Sequence, residues 1–244
     1  MASKIEHTAA RLKRLLREAA DPAAKASLTR FFKRPVRALG VRTPDVRRIA
    51  AAAAKEYRAR GMAVDDVFDL AEPLWRGGVL EERVLAVFLI ARFQRQLERT
   101  HWERLEGWAS SLSNWGEADG LGIHVIGPLL RREPDLSERV HAWCESGNPL
   151  QRRAAAVSLV PLARQGVGQE TVVRLCEALA EDGDDLVQKA VGWLLKELSR
   201  TDPESVTDFL VEHRERLSRL TLRYASEKLP ERLRRRARAR LELS

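Results

Sequence analysis

Two stretches of the chain predict its fold: LQRRAAAVSLVPLARQG at residues 150–166 and LVQKAVGWLLKELSRTD at residues 186–202. Each begins with polar and basic residues and continues with small apolar residues at helical spacing. A second amphipathic stretch follows each one, QETVVRLCEALAED after the first and PESVTDFLVEHRERL after the second. The pattern predicts a helix pair that repeats with a period of about 35 to 40 residues, the range of HEAT-like helical repeats.

Helical periodicity continues through almost all of the chain, and no convincing alternating strand interrupts it. A capping residue or a proline marks the predicted helix starts, which are Thr43-Pro44-Asp45, Asp135, Asn148-Pro149, Asp202-Pro203-Glu204 and Pro230-Glu231. Glycines mark the predicted helix ends, which are Gly61, Gly77-Gly78, Gly147, Gly166 and Gly183. We therefore predict an all-α fold, a right-handed superhelical solenoid of HEAT-like repeats with about a dozen helices. No linker divides the chain, so we expect residues 1–244 to form a single domain.

The charge balance points to a polyanionic partner. The 244 residues carry a formal net charge of +8 with a pI of about 10.0, while 44% are hydrophobic, which indicates a globular protein. Such a surplus favours nucleic acid or an anionic membrane surface, although exposed arginines alone would also produce it. The end of the chain, residues 231–244, carries six arginines between Arg232 and Arg240. This segment could hold DNA backbone or form a solvated terminal helix, and the second interpretation is slightly favoured.

Nothing in the sequence predicts a metal site or another cofactor. Cys144 and Cys176 lie far apart and are expected to be reduced core thiols, and the five histidines are scattered. The N-terminal stretch MASKIEHTAARLKRLL lacks the apolar region of a signal peptide, and the longest apolar runs are too short to span a bilayer. We therefore expect a cytoplasmic protein with no membrane partner.

The stretch SNWGEADG at residues 113–120 places two acids after a tryptophan. Helical positions i and i+4 are about 40° apart around the axis, so Trp115 and Asp119 share one face. Glu117 lies about 200° from Trp115, points elsewhere, and is expected to be dispensable for function. Asp119 is thus the acid that can act beside the tryptophan. An ordinary core tryptophan followed by an acid at a helix end is the alternative interpretation.

Basic residues accompany the small apolar faces of the two repeats. Arg152 and Arg153 open the first repeat helix, and Lys189 follows the start of the second. Trp193 and Lys196, at positions i and i+3 of the second repeat helix, share one face. Equivalent helices of successive repeats are therefore expected to present tryptophan, acid and basic residues to one surface.

Two further stretches have special backbone features. ALGVRTPDVRR places Arg42 and Thr43 at a helix N-terminus, where a phosphate group binds readily. GLGIHVIG, at residues 120–127, is glycine-rich for a helix interior, where each glycine costs about 1 kcal/mol relative to alanine. Close approach of another backbone would explain that cost.

Taken together, these stretches resemble the AlkD-like DNA alkylation repair glycosylases, which are built from HEAT-like repeats. The similarity runs from about residue 8 to about residue 230, and its landmarks are LGVRTPDVRR, NWGEADG, LQRRAAA and QKAVGWLLKE. The last landmark is the most specific, because helix propensity alone does not produce it. The resemblance covers nearly the whole chain.

The resemblance implies roles for individual residues. The catalytic aspartate of the family falls on Asp119, its partner tryptophan on Trp115, its active-site arginine on Arg153 and its second tryptophan on Trp193. The early-helix aromatic of the family, often tyrosine, falls on Phe31, which keeps the ring and lacks the hydroxyl. The expected DNA contacts are Phe31, Arg42, Thr43, Pro44, Arg152, Lys189 and Lys196.

The implied activity is hydrolysis of the N-glycosidic bond of purines alkylated at N3 or N7 in duplex DNA, without flipping the base into a pocket. A monomer associated with the nucleoid, with no cofactor, is expected. Two alternatives stay open: a relative that binds damaged or branched DNA without cleaving it, and a HEAT-repeat scaffold that binds proteins. Recognition of RNA by a repeat code is weaker, because no base-reading pair recurs.

Overall fold

Helices form every regular element of the structure, a computed structural model that describes residues 2–32 and 35–239. No β-strand occurs in these two ranges, and the all-α prediction is confirmed. The α-helices are α1 (Ala2–Glu18), α2 (Pro22–Phe31), α3 (Thr43–Ala59), α4 (Val64–Arg76), α5 (Leu80–Arg92), α6 (Trp102–Ser110), α7 (Trp115–Leu121), α8 (Gly127–Leu130), α9 (Ser137–Ala142), α10 (Pro149–Ala163), α11 (Gln169–Ala178), α12 (Asp185–Leu198), α13 (Pro203–Glu212), α14 (Arg219–Ala225) and α15 (Glu231–Arg238).

Four of the five predicted helix starts are confirmed, because α3, α10, α13 and α15 begin at Thr43, Pro149, Pro203 and Glu231. The Asn148 side chain accepts from the Leu150 N–H at 3.0 Å before α10, and Asp202 accepts from the Ser205 N–H at 3.1 Å before α13. Asp135 differs, because it lies in a 3₁₀ turn, Pro134–Leu136, and α9 begins only after that turn. Short tight turns of this kind are common at helix termini.

The chain divides into two compact units, the first ending at Val125 and the second beginning at Ile126. In the first unit α5 occupies the centre and packs against α3, α4 and α7. Its residues from Leu85 to Ile90 are all buried, as expected for a helix that is apolar on nearly all sides. The expectation of a single domain stays a prediction.

Equivalent helices of successive repeats stack in the second unit. α10 packs against α12, and α12 packs against α14. The partner helix of each pair, α11 or α13, follows its repeat helix in the chain and also contacts α12. α10 is buried along almost its whole length because its small alanine and valine side chains admit neighbours on every side. The repeated helix pairs predicted from residues 150–217 are confirmed.

Two glycines allow helices of the second unit to approach closely. A Cβ atom at Gly192 would lie 2.6 Å from the Cβ of Tyr224 and 3.0 Å from the Thr221 carbonyl oxygen. A Cβ atom at Gly127 would lie 2.7 Å from the Ser158 carbonyl oxygen. Close approach therefore explains the last glycine of GLGIHVIG. It does not explain Gly120, where the nearest atom would be at an ordinary 3.8 Å.

We expect Gly192→Ala to destabilise the protein by about 1 to 3 kcal/mol, because the added methyl group overpacks the contact between α12 and α14. Gly107→Ala is the matched control, since Gly107 lies in α6 and a Cβ atom there would have no other atom within 4 Å. That change should stabilise the protein by about 0.5 to 1 kcal/mol through helix propensity. Urea unfolding of both variants measures the difference, and equal effects would contradict the close-contact explanation.

Candidate functional site

Helix α7 carries the predicted tryptophan and aspartate in the first unit. It begins at Trp115, directly after Asn114, whose side-chain oxygen accepts from the Glu117 N–H at 3.0 Å. This N-cap sets the start of the helix and hence the directions of its side chains. Trp115 and Asp119 lie four residues apart on one face, and both are partly exposed.

Trp115 stacks on Phe32, with ring centroids 5.2 Å apart and an interplanar angle of 26°. Phe32 follows the last residue of α2, where the backbone leaves the helical conformation. The side chain of Phe31 lies outside the described part of the structure, so its DNA contact stays a prediction. Sequence reasoning missed Phe32, because two consecutive phenylalanines at a helix end do not reveal which ring turns towards α7.

Glu117 is buried and forms an ion pair with Arg83 of α5. The Arg83 Nη1 donates to the Glu117 Oε2 at 2.8 Å, and the Glu117 side chain is 0% exposed. Glu117 also accepts from the Ser113 N–H at 2.9 Å, while Arg83 donates to the carbonyl oxygens of Trp75 and Ser111 at 2.9 Å each. Glu117 does point away from Trp115, but it is a buried structural residue and cannot be changed without consequence.

A second carboxylate from the first turn of α5 holds the loop before α3. The buried Glu81 accepts from the N–H groups of Leu39, Gly40 and Val41 at 2.8, 2.7 and 3.2 Å. Gly40 has a φ of 92°, and a Cβ atom there would lie 2.5 Å from the carbonyl oxygen of Asp21. Glycine is therefore required at this turn, for both its backbone conformation and its lack of a side chain.

The residues predicted to contact phosphate follow this loop. α3 begins at Thr43, as expected, and Arg42, Thr43 and Pro44 are all exposed. The Arg42 side chain is 72% exposed and its Nη2 lies 3.7 Å from an Asp21 carboxylate oxygen, a weak surface pair. The three residues thus occupy an accessible helix N-terminus, and Glu81 fixes the loop that leads into it.

The two predicted arginines of α10 lie in the second unit and differ in their surroundings. Arg152 forms a bidentate pair with Asp182, at 2.6 and 3.1 Å, and donates to the Ser146 carbonyl oxygen at 2.8 Å. The hydrogen bond to Asp182 raises the pKa of Arg152 above its usual value. Arg153 is 7% exposed and donates to the Leu186 carbonyl oxygen at 2.5 Å. A phosphate at Arg152 would have to compete with Asp182, so its DNA contact stays a prediction.

Trp193 of α12 is held by a buried carboxylate. Its Nε1 donates to the Glu197 Oε1 at 3.1 Å, and the Arg164 guanidinium lies 5.8 Å from the centroid of its ring. Glu197 also pairs with Arg164 at 3.1 Å and with Arg200 at 3.0 Å. Burial alone would raise the pKa of Glu197, but the hydrogen bonds and charges of Arg164, Trp193 and Arg200 outweigh it and lower that pKa below its usual value.

The two predicted lysines lie on the same side of α12 as Trp193. Lys189 precedes the tryptophan by four residues and Lys196 follows it by three, and both are partly exposed. The Lys196 Nζ lies 3.3 Å from a Glu227 carboxylate oxygen and 5.8 Å from the centroid of the Tyr224 ring. This side of α12 therefore presents an aromatic ring between two cationic groups.

Thiol, metal and membrane sites are not indicated by the described residues. Burial raises the pKa of Cys144 to about 12 and also raises that of Cys176, so both thiols are protonated at neutral pH. No group of three or more potential ligands in residues 2–32 and 35–239 is placed to hold a metal ion. None of the helices described above is long and apolar enough to cross a membrane.

Comparison with known proteins identifies the family. The sequence profile of the DNA alkylation repair enzymes matches residues 12–229. The chain belongs to the DNA alkylation repair enzyme family. The resemblance in the landmark stretches is thereby confirmed. No curated protein shows a significant match to the chain.

Solved structures share the fold of this DNA alkylation repair family member at low sequence identity. A protein from Enterococcus faecalis, described as a predicted DNA alkylation repair enzyme, has 17% identity and a TM-score of 0.77, covering 87% of this chain and 97% of its own. AlkD2 from Streptococcus mutans has 17% identity and a TM-score of 0.61, covering 92% and 99%. The protein smu.31 from Streptococcus mutans UA159 has 18% identity and a TM-score of 0.54, covering 76% and 100%. At these identities the similarity establishes the fold.

We expect Glu117→Gln to destabilise this family member by about 3 kcal/mol, because it leaves the buried Arg83 charge without a partner. Arg83→Met combined with Glu117→Gln should cost less than the sum of the two single changes, by at least about 1 kcal/mol. Urea unfolding of the four proteins measures the coupling. Glu18→Gln is the control, because Glu18 pairs with Arg14 at the surface, where the two side chains are 61% and 68% exposed. Such a pair contributes less than about 0.5 kcal/mol to the free energy of unfolding. Additive effects of the two buried changes would contradict the coupling.

The stability contribution of Glu197 should depend on pH. Its pKa is lower in the folded protein than in the unfolded chain, where it is about 4.3, so the contribution is complete above that value and is lost as the pH falls through the folded pKa. The stability difference between wild type and Glu197→Gln should therefore narrow as the pH falls from about 7 to about 3. Urea unfolding at a series of pH values measures it. The remaining carboxylates titrate in both proteins, so their contributions cancel in the stability difference between wild type and Glu197→Gln. A difference that does not change with pH would contradict the assignment.

Proposed function

We propose that the chain is a monofunctional DNA glycosylase, which hydrolyses the N-glycosidic bond of cationic N3- or N7-alkylated purines in duplex DNA. 7-Methylguanine and 3-methyladenine are the proposed substrates. One observation carries the proposal: of the two acids in α7, Glu117 is buried against Arg83, while Asp119 reaches the surface on the face of Trp115. Membership of the DNA alkylation repair enzyme family supports the choice of substrate.

The proposed reaction needs only one carboxylate. Alkylation gives the purine a formal positive charge, so the pair of electrons of the C1′–N9 bond leaves with the base and makes it neutral. The leaving group therefore requires no general acid, unlike a glycosidic oxygen. Asp119 stabilises the positive charge that develops on the deoxyribose. It also orients a water molecule, whose oxygen bonds to C1′ and whose proton passes to the carboxylate or to solvent.

Aromatic and basic side chains complete the proposal. Trp115 packs against the sugar of the lesion, and its electron-rich ring face favours a cationic transition state. Trp193, in the second unit, is proposed as a further aromatic contact to the DNA. Lys196 holds a flanking phosphate. Arg153 is 7% exposed and donates to the Leu186 carbonyl oxygen, so its proposed role is to position the start of α12. The exposure of Trp115 and Asp119 at the surface of α7 supports excision without moving the base into an enclosed pocket. The stacking of Phe32 on Trp115 supports a fixed ring orientation.

Asp119→Asn tests the catalytic assignment. We expect release of 7-methylguanine from methylated duplex DNA to fall at least about 100-fold in single-turnover assays, because the developing positive charge loses its counter-charge. Duplex affinity, measured by fluorescence anisotropy, should stay within about threefold of wild type, since the aspartate acts on the transition state more than on bound DNA.

Asp65→Asn is the matched control, because it makes the same change of charge in the first unit at a side chain that is 73% exposed. It should retain full activity. Glu117→Gln cannot serve this purpose, because it disturbs a buried ion pair. Wild-type activity in Asp119→Asn would overturn the assignment. Salt-sensitive duplex binding with no base release by the wild type would favour a non-catalytic DNA binder, and absence of both would favour a protein-binding scaffold.

A further inference from the structure

A cavity of about 320 Å³ in the second unit is lined by Arg223, Tyr224, Glu227 and Arg238. Arg223, Tyr224 and Glu227 come from α14 and the turn after it, whereas Arg238 is the last residue of α15. The arginine-rich end of the chain thus contributes one side chain to a concave surface. We call these four residues the C-terminal basic pocket.

Arg238 differs from the other arginines of α15. Its Nε donates to the Ser226 Oγ at 2.8 Å, and the buried Ser226 in turn donates to the Leu222 carbonyl oxygen at 2.6 Å. The remaining arginines of this helix pair with carboxylates, namely Arg232 with Glu204, Arg234 and Arg235 with Glu231, and Arg236 with Asp208. The other arginines of α15 therefore have their charges compensated, while a buried hydroxyl holds Arg238 at the pocket.

The pocket continues towards Lys196, one of the residues expected to contact DNA. The Lys196 Nζ and the Arg223 guanidinium lie 5.8 and 5.4 Å from the centroid of the Tyr224 ring. Lys196 pairs with Glu227 at 3.3 Å, and among the described residues neither Arg223 nor Arg238 forms an ion pair. Three cations face one carboxylate here, so the region carries a surplus of positive charge around an aromatic ring.

We propose that the C-terminal basic pocket binds a backbone phosphate of duplex DNA and extends the DNA contact of Lys196. Guanidinium groups present several N–H donors in a planar arrangement that matches phosphate oxygens, and a tyrosine hydroxyl donates to the same group. The proposal rests on the proposed DNA substrate. An anionic membrane is a poorer occupant, because binding at a bilayer needs an apolar face, and the one large hydrophobic residue exposed in the described ranges is Val167.

Removing the charge of Glu227 should have the opposite effect on DNA binding to removing the charge of either arginine. The Glu227 carboxylate neutralises Lys196 and faces the position where the phosphate binds. Glu227→Gln should therefore strengthen DNA binding, whereas Arg238→Ala and Arg223→Ala should each weaken it. A purely structural role for these residues predicts no such reversal, because all three changes would then weaken binding or leave it unchanged.

The test measures affinity for an unmodified duplex by fluorescence anisotropy between about 0.05 and 0.2 M salt. Arg238→Ala should lower the salt slope, which is the decrease of log affinity with log salt concentration, by about 0.9. When wild type and variant bind equally at 1 M salt, this difference makes the variant bind about eightfold more weakly at 0.1 M. Arg223→Ala should behave similarly, and Glu227→Gln should raise affinity. Arg235→Ala is the matched control on the same helix, since that side chain is 80% exposed and paired with Glu231. It should change affinity less than about twofold.

An unchanged salt slope in both Arg238→Ala and Arg223→Ala would overturn the proposal. So would a loss of affinity in Arg235→Ala as large as that in Arg238→Ala, because the effect would then be one of net charge. Loss of binding to phosphatidylserine vesicles, without loss of DNA binding, would assign the pocket to a lipid surface and overturn it as well. The duplex contains no alkylated base, so these results are independent of base release and of the Asp119 assignment.

Discussion

The first unit depends on the buried ion pair between Arg83 and Glu117. Two charges removed from water are stable only when each is paired and hydrogen-bonded, and here Ser113 and the carbonyl oxygens of Trp75 and Ser111 supply the remaining partners. The pair joins the first turn of α5 to the first turn of α7. The ion pair therefore fixes the position of α7, and with it the positions of Trp115 and Asp119, although neither of these residues belongs to the pair.

The same turn of α5 also governs the loop that precedes α3. Glu81, two residues before Arg83, binds three consecutive N–H groups at Leu39, Gly40 and Val41. A buried carboxylate thus holds the loop that leads into Arg42, and a buried guanidinium holds the helix that carries Asp119. Buried charges in the second unit act similarly, because Glu197 orients Trp193 through its indole N–H. In both units, buried acids therefore help to fix the position of the tryptophans.

Much of the candidate site could be predicted from local patterns. Helical spacing separated Asp119 from Glu117, and the repeated pairs predicted the stacking of α10, α12 and α14. The partners of these residues could not be predicted. Phe32 contacts Trp115 because α2 ends one residue earlier, and Arg152 is held by Asp182, which lies 30 residues further along the chain. Contacts of this kind depend on how helices pack, and the periodic pattern indicates which face of a helix packs but not which residue of another helix it meets.

The helices, their caps, the repeat period and the family could all be read from the sequence, because each of these follows from neighbouring residues or from whole-chain motifs. Which charged residues are buried became clear only from the packing of the helices. Glu117 and Asp119 are two residues apart and chemically alike, yet one pairs with Arg83 inside the first unit and the other reaches the surface. The difference arises because the cost of burying a carboxylate depends on whether packing brings it a partner from another helix.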